Sequence, residues 1–279
     1  MSDIPIAINY HLNKHCNLRC KFCFATFRDV PGALDVHDAR ALLTRLREAG
    51  GEKINFAGGE PTLFPHLALL IEHAKALGFT TSIVTNGARL RPLLERHAEA
   101  LDWVGLSVDS SHEEVQAALG RGRGQHVAKS IAHADHAHAV GVRVKLNTVV
   151  TALTWDEDMS DLVRRMKPAR WKVFQVLPVA GQNDGDVDQL LIPATAFEAF
   201  LERHRPLAAE GVPPVAEDNQ AMRGSYVMVD PLGRFYSSLT GRHEYSEPIL
   251  QVGVAQALRQ IGFSMAKLRA RGGLYRWER

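Results

Sequence analysis

The sequence predicts an α/β fold, namely a partial (βα)6 TIM barrel followed by a small C-terminal α+β extension. Six short apolar stretches alternate with amphipathic helical stretches, which is the pattern of parallel βα units. The 279 residues suit one such barrel with an appendage, and the apolar content of 46% supports a sizeable core. Glycine and proline at 211–214 mark a boundary, so we expect a barrel over 1–210 and an extension over 211–279.

The predicted elements follow one another in a regular order. The first strand, 4–9, alternates apolar residues and ends directly in a cysteine-rich loop; the later strands are predicted at 53–57, 80–85, 103–108, 143–150 and 171–177. The first helix covers 35–49 with Asp35 as its cap, and further helices are predicted near 65–77, 90–99, 126–139 and 156–166. The extension is expected to hold two short strands and two short helices. Parallel units of this kind bind ligands at the carboxyl ends of their strands.

All three cysteines of the chain, Cys16, Cys20 and Cys23, fall within eight residues as CxxxCxxC. Three thiolates can hold a [4Fe-4S] cluster and leave one iron open to an outside ligand. A disulfide would leave one cysteine unpaired. A closed zinc site would need a fourth ligand, for which the candidates are His11, His15 and His37.

Polar and glycine residues follow three of the predicted strands. Gly58, Gly59 and Glu60 come after the second strand, and two glycines allow a backbone to approach a ligand closely. Asn86 ends the third strand and Ser107 the fourth, although both residue types are also common in turns. These positions are candidates for a ligand site beside the cysteine loop.

Basic and amide side chains form a second candidate group, which we expect at the mouth of the barrel. Lys145 and Asn147 share one strand face because side chains alternate, and so do Arg170 and Lys172. Several cations directed into one cavity would focus positive potential and suit a polyphosphate. The other members of this group are Asn9, Lys53, Arg121 and Arg123.

The segments that carry these residues together resemble the viperin family, a nucleotide-modifying antiviral branch of the radical S-adenosylmethionine (SAM) enzymes. The resemblance rests on NYHLNKHCNLRCKFCF, KINFAGGEP, SIVTNG, SVDSSHEEV, GRGRG, RWKVFQ and DNQAMRGSY, in that order. It implies a barrel of the radical SAM type with a [4Fe-4S] cluster and SAM as cofactors. It also implies conversion of a ribonucleoside triphosphate to its 3'-deoxy-3',4'-didehydro analogue, with CTP as first choice and UTP or GTP as further candidates.

The resemblance assigns roles residue by residue. Cys16, Cys20 and Cys23 would bind the cluster, and the extension would close the nucleotide site. The SAM site would comprise Phe22, Gly58, Gly59, Glu60, Asn86, Ser107 and Arg121. The nucleotide site would comprise Asn9, Lys53, Lys145, Asn147, Arg170, Lys172 and Tyr226. Tyr226 is also a catalytic candidate, since it or a water molecule would protonate the leaving hydroxyl.

Charge and hydropathy restrict the partners. A net charge of +2 does not favour nucleic acid or a membrane, and no apolar stretch reaches 18 residues. The first ten residues lack the basic and apolar regions of a signal peptide, so we expect a cytoplasmic protein in a reducing compartment. The resemblance implies a flavodoxin or ferredoxin as reductant and help from iron–sulfur assembly machinery. The alternatives are another radical SAM enzyme acting on GTP or a peptide, which would usually carry further cysteines, and a non-catalytic metal-binding scaffold.

Overall fold

A ten-stranded sheet forms the body of the protein in a computed structural model that describes residues 6–275 and 277. The strands are Ala7–His11 (β1), Lys53–Ala57 (β2), Thr80–Thr85 (β3), Trp103–Ser107 (β4), Arg143–Val150 (β5), Arg170–Gln175 (β6), Pro214–Glu217 (β7), Val227–Val229 (β8), Arg234–Ser237 (β9) and Glu244–Pro248 (β10). Their order in the sheet is β10-β9-β8-β1-β2-β3-β4-β5-β6-β7, with parallel pairing from β8 through β7 and antiparallel pairing of β8, β9 and β10.

Helices connect the strands. The α-helices are Val36–Glu48 (α1), Leu67–Ala76 (α2), Leu90–His97 (α3), Glu113–Ala118 (α4), His126–Ala139 (α5), Ser160–Met166 (α6), Ala194–His204 (α7), Asn219–Met222 (α8), Ile249–Val252 (α9), Val254–Arg259 (α10) and Met265–Ala270 (α11). Short 3-10 helices lie at Pro61–Leu63, Ala98–Ala100, Asp188–Leu190 and Arg205–Glu210. No helix in this described part is long and apolar enough to cross a bilayer.

The predicted partial barrel is confirmed, and its six strands lie close to their predicted positions. The first observed strand is Ala7–His11, whereas residues 4 and 5 of its predicted range lie outside the described residues. The prediction for the extension was wrong, because the described residues after 211 form four strands and four short helices. Strands of three to five residues are too short for an alternating pattern to be recognised reliably.

The apolar core lies between the sheet and its covering helices. The Asp35 side chain accepts a hydrogen bond from the backbone N–H of Asp38 at 2.8 Å and caps α1, as predicted. Leu42, Leu43 and Leu46 on the inner face of α1 are fully buried, and burial of each such side chain contributes about 1.5–3 kcal/mol. This packing fixes the strands from one side and leaves the other face of the sheet to line the barrel.

The register of the parallel strands brings the polar candidates level with one another. Asn9 pairs with Asn55 across β1 and β2, and Lys145 pairs with Arg170 across β5 and β6. The segment beyond 211 supplies β7 beside β6 and β8 beside β1, so it extends both edges of the sheet. The division into 1–210 and 211–279 stays a prediction.

Candidate active site

The cysteines lie in the loop that joins β1 to α1, and two other loops hold that loop in place. Cys16 is exposed and the other two cysteines are partly buried. On one side, the N–H of Glu60 donates to the carbonyl of His15 at 2.7 Å. On the other side, the N–H of Arg19 donates to the carbonyl of Gly120 at 3.3 Å. The cysteine loop is therefore fixed by the β2–α2 and α4–α5 connections.

Two glycines make these contacts possible. A Cβ on Gly59 would lie 2.3 Å from the carbonyl oxygen of His15. A Cβ on Gly120, whose φ of 86° already favours glycine, would lie 2.0 Å from the carbonyl oxygen of Arg19. The glycines after β2 were predicted to allow the close approach of a ligand. In the structure the space beside Gly59 is filled by the cysteine loop itself.

The thiols form a donor set that fits an iron–sulfur cluster. Burial is the largest influence on the three thiols and raises the pKa of each, that of Cys20 to about 12. The nearby Arg121 guanidinium acts in the opposite direction on all three. Cluster ligands are thiolates, so this cation supports the ionised form that a bound cluster requires. Among the described residues, no three His, Cys, Asp or Glu side chains are grouped around a position for a single metal ion. The same holds for the three thiols themselves, so their fit to a cluster with an open iron rests on the number and type of donors.

Glu60 connects the β2 loop to the end of β3. Its buried carboxylate accepts hydrogen bonds from the N–H of Thr62 at 3.0 Å, the hydroxyl of Thr85 at 2.5 Å and the N–H of Asn86 at 2.8 Å. The amide nitrogen of Asn86 then lies 3.7 Å from the Cys16 sulfur. The carboxylate thus holds a polar side chain against the cysteine loop, while protein donors occupy its oxygens.

Arg121 lies on the same side of the barrel. Its guanidinium is buried, donates to the Asp109 carboxylate and lies 5.4 Å from the centre of the Phe22 ring. Burial favours a lower pKa for Arg121, but the Asp109 charge raises it above its ordinary value. At the end of β4, the Ser107 carbonyl is 2.7 Å from the Nε2 atom of His126. Glu60, Asn86 and Arg121, which the resemblance assigns to the cofactor, therefore lie beside the cysteine loop.

A cationic cavity occupies the other half of the barrel. The cavity has a volume of about 50 Å³ and opens to solvent. Lys53 and Arg170 begin their strands, so the cavity lies towards the amino ends of the strands. The prediction of these cations at the carboxyl-end mouth was wrong, because inward-facing positions recur at every level of a strand. The lining residues are Ala7, Ile8, Asn9, Lys53, Asn55, Lys145, Arg170, Lys172, Tyr226, Arg271, Gly272, Gly273 and Tyr275.

The cations of the cavity strongly perturb one another. Burial, followed by repulsion from Lys145, Lys172 and Arg170, lowers the pKa of Lys53 to about 6. Burial is also the largest cause for Lys145, whose pKa falls to about 8, and for Lys172, whose pKa falls to about 7. Such crowding of positive charge lowers the stability of the folded protein, and a bound anionic ligand would raise it again.

One buried carboxylate lies behind the cavity. Oε1 of Glu217, the last residue of β7, is 2.5 Å from Nζ of Lys172 and 3.1 Å from Nη1 of Arg271. The Tyr226 hydroxyl donates to the same carboxylate and accepts from Lys172 at 2.7 Å. Burial, together with the Glu217 charge, raises the pKa of Tyr226 well above its ordinary value.

Sequence reasoning missed four residues of this site. Asn55 lies two residues after Lys53, so strand alternation could have found it; its amide donates to the Asn9 side chain at 2.9 Å. Glu217, Arg271 and Tyr275 come from short elements with no periodic signal. Of the residues predicted for the cavity, three do not line it: Asn147 is buried outside the lining, Arg121 lies beside the cysteine loop, and Arg123 is exposed.

Comparisons with known proteins agree with this arrangement. Residues 10–191 match the Radical SAM superfamily, and the chain belongs to that superfamily. Curated relatives named S-adenosylmethionine-dependent nucleotide dehydratase include proteins from Flammeovirga pacifica (42% identity, 99% of this chain, 98% of that protein) and Oncorhynchus mykiss (36% identity, 100% and 82%). Within the superfamily, the chain belongs to this nucleotide dehydratase family, which confirms the predicted resemblance.

Other matches are shorter or more distant. A relative of the same name from Lacinutrix mariniflava is 42% identical over 99% of this chain, which spans 60% of that protein. Streptococcus suis SuiB bound to S-adenosylmethionine has a TM-score of 0.67 at 17% identity, covering 83% of this chain and 60% of SuiB. Escherichia coli coproporphyrinogen III oxidase (HemN), a radical SAM enzyme, has a TM-score of 0.60 at 15% identity, covering 97% and 75%. Both structures support the fold.

Proposed function

We propose that this protein converts a ribonucleoside triphosphate to its 3'-deoxy-3',4'-didehydro analogue, with CTP as first choice and UTP or GTP as further candidates. The observation that carries the proposal is a cationic cavity inside the same barrel as a three-cysteine loop. The names of the relatives, which are nucleotide dehydratases, agree with it.

The cysteine side of the barrel is proposed as the cofactor site. Cys16, Cys20 and Cys23 would hold a [4Fe-4S] cluster, which together with SAM would supply the radical chemistry that removes the C4' hydrogen atom of the nucleotide. The other residues proposed to contact SAM are Phe22, Gly58, Gly59, Glu60, Asn86, Ser107 and Arg121. For Glu60, the geometry supports an indirect role, since its carboxylate is bonded to Thr62, Thr85 and the backbone of Asn86.

The cationic cavity is proposed as the triphosphate site. Lysine and arginine are the usual partners of phosphate oxygens, and arginine can bind two oxygens at once. The cations proposed to hold the phosphates are Lys53, Lys145, Arg170, Lys172 and Arg271. The amides of Asn9, Asn55 and Asn147 would position the sugar, because the Oδ1 atoms of Asn55 and Asn147 are buried without a hydrogen-bond partner.

Loss of the 3'-hydroxyl as water requires a proton. Tyr226 is one candidate donor and an ordered water is the other. The Tyr226 hydroxyl already donates to Glu217 and accepts from Lys172, so it belongs to a connected proton network. Completing the product then needs one further electron. We propose a flavodoxin or ferredoxin as the electron source, with access through the exposed Cys16 side of the loop, and iron–sulfur assembly machinery as a second partner in the cytoplasm.

The test is anaerobic incubation of the reconstituted protein with dithionite, SAM and each ribonucleoside triphosphate separately. We expect release of 5'-deoxyadenosine together with a nucleotide that has lost one water, fastest with CTP. Cofactor cleavage that no nucleotide stimulates, with no dehydrated product, would contradict the proposal. A preference for UTP or GTP would correct only the base.

A further inference from the structure

The charges around the cavity indicate a role for Glu217, and this inference rests on the proposed triphosphate substrate. The described cavity lining contains five cationic side chains and no carboxylate. Glu217 is fully buried behind this lining and contacts two of the cations, Lys172 and Arg271. When all five cations are protonated, the cavity and Glu217 together carry a net charge of about +4.

That charge is equal in size and opposite in sign to the charge of one ligand class. A nucleoside triphosphate carries about four negative charges near neutral pH, whereas a diphosphate carries about three, because the terminal phosphate has largely lost its second proton. A buried charge without a partner is costly, so with a diphosphate one cavity lysine would stay neutral and would contribute little to binding. We propose that Glu217 is a specificity-determining residue that matches the charge of the cavity to a triphosphate without touching the ligand.

The charges that face this carboxylate come from every neighbouring element. Lys145 approaches from β5, Arg170 and Lys172 from β6, and Arg271 from the segment after α11. The neutral Tyr226 hydroxyl completes its contacts. The lowered pKa values of the cavity lysines agree with an excess of positive charge in the absence of ligand.

The first experiment compares binding of CTP and CDP to the reconstituted protein by anaerobic calorimetry, without SAM or reductant. We expect at least tenfold tighter binding of CTP by the wild type. Lys145→Met removes one cation and should reduce that ratio at least tenfold, because the cavity then matches a diphosphate. The double variant Lys145→Met/Glu217→Gln returns the net charge to its original value and should restore most of the ratio. A double variant whose ratio of CTP to CDP affinity is as low as that of Lys145→Met, or lower, would overturn the proposal.

A second measurement needs no variant and protects the test against a Glu217 substitution that fails to fold. Wild-type binding heats in buffers of different ionisation enthalpy give the number of protons taken up with each ligand. We expect net uptake with CTP and less with CDP, since the fourth negative charge restores a proton to a cavity lysine. Equal uptake with both ligands would overturn the proposal. Failure of the wild type to bind CTP, UTP or GTP would instead refute the triphosphate assignment.

Discussion

Substitution of Gly120 by alanine tests how the cysteine loop is held, at a position outside the cysteine and GGEP motifs. The added Cβ would lie 2.0 Å from the carbonyl oxygen of Arg19, and ordinary contact begins at 3.4 Å, so the loop would shift by about 1.4 Å. The obstacle is backbone rather than a flexible side chain. Because Arg19 directly precedes Cys20, this shift would displace the thiols from one another.

The cost has two parts that a matched variant can separate. A left-handed φ costs alanine about 1–2 kcal/mol, and overpacking against fixed backbone costs about 1–3 kcal/mol more. Gly124 has a similar φ of 82° and nothing within 4 Å of its Cβ position. Gly124→Ala therefore carries the backbone strain without the collision, and the difference between the two variants isolates the loop contact.

The assay is iron content and visible absorbance of the anaerobically reconstituted variants, followed by the rate of SAM cleavage with dithionite. We expect Gly120→Ala to keep its far-ultraviolet circular dichroism but lose cluster occupancy and at least tenfold in cleavage rate, since about 1.4 kcal/mol corresponds to tenfold. Gly124→Ala should stay close to the wild type in both. A Gly120→Ala protein with full iron and wild-type cleavage would refute this account of the loop.

Three further predictions concern the two halves of the site. Lys172→Ala should raise the Kd for CTP at least tenfold, because Lys172 lies in the cationic cavity. It should change the rate of SAM cleavage without nucleotide less than twofold. Equal losses of CTP affinity in calorimetry and of SAM cleavage would contradict its role. Cys20→Ala should abolish cluster assembly, and a variant with its full iron complement would exclude that thiol as a ligand. CTP affinity should fall as pH rises from 6 to 9, because the free cavity holds lysines with lowered pKa values that must be protonated to bind phosphate, Lys53 near 6 and Lys145 near 8. Titration calorimetry at several pH values checks this, and an affinity that rises over that range would contradict it.

The sequence predicted the strand and helix order of the barrel well because those signals are local. Alternation in 143–150 and the cap at Asp35 each depend on a few neighbouring residues, and both agree with the structure. The elements after 211 were predicted poorly, since β7 and β8 are held by pairing with distant strands rather than by their own pattern.

The site shows the same division between local and long-range information. The cysteine spacing and the lysines on β5 and β6 could be recognised from motifs and alternation. The part played by Glu217 could not, because it depends on contacts with Lys172, 45 positions earlier in the chain, and with Arg271, 54 positions later. The position of the cations near the amino ends of the strands likewise required the register of the sheet.

The most direct test of the central claim uses a nucleoside triphosphate substrate labelled with deuterium at C4'. We propose that the cysteine loop and the cationic cavity serve one reaction, in which the ribose lies between them. We predict that 5'-deoxyadenosine formed with the labelled substrate will contain one deuterium and that a dehydrated nucleotide will form in step with it. Unlabelled 5'-deoxyadenosine, formed at the same rate with and without nucleotide, would contradict the account.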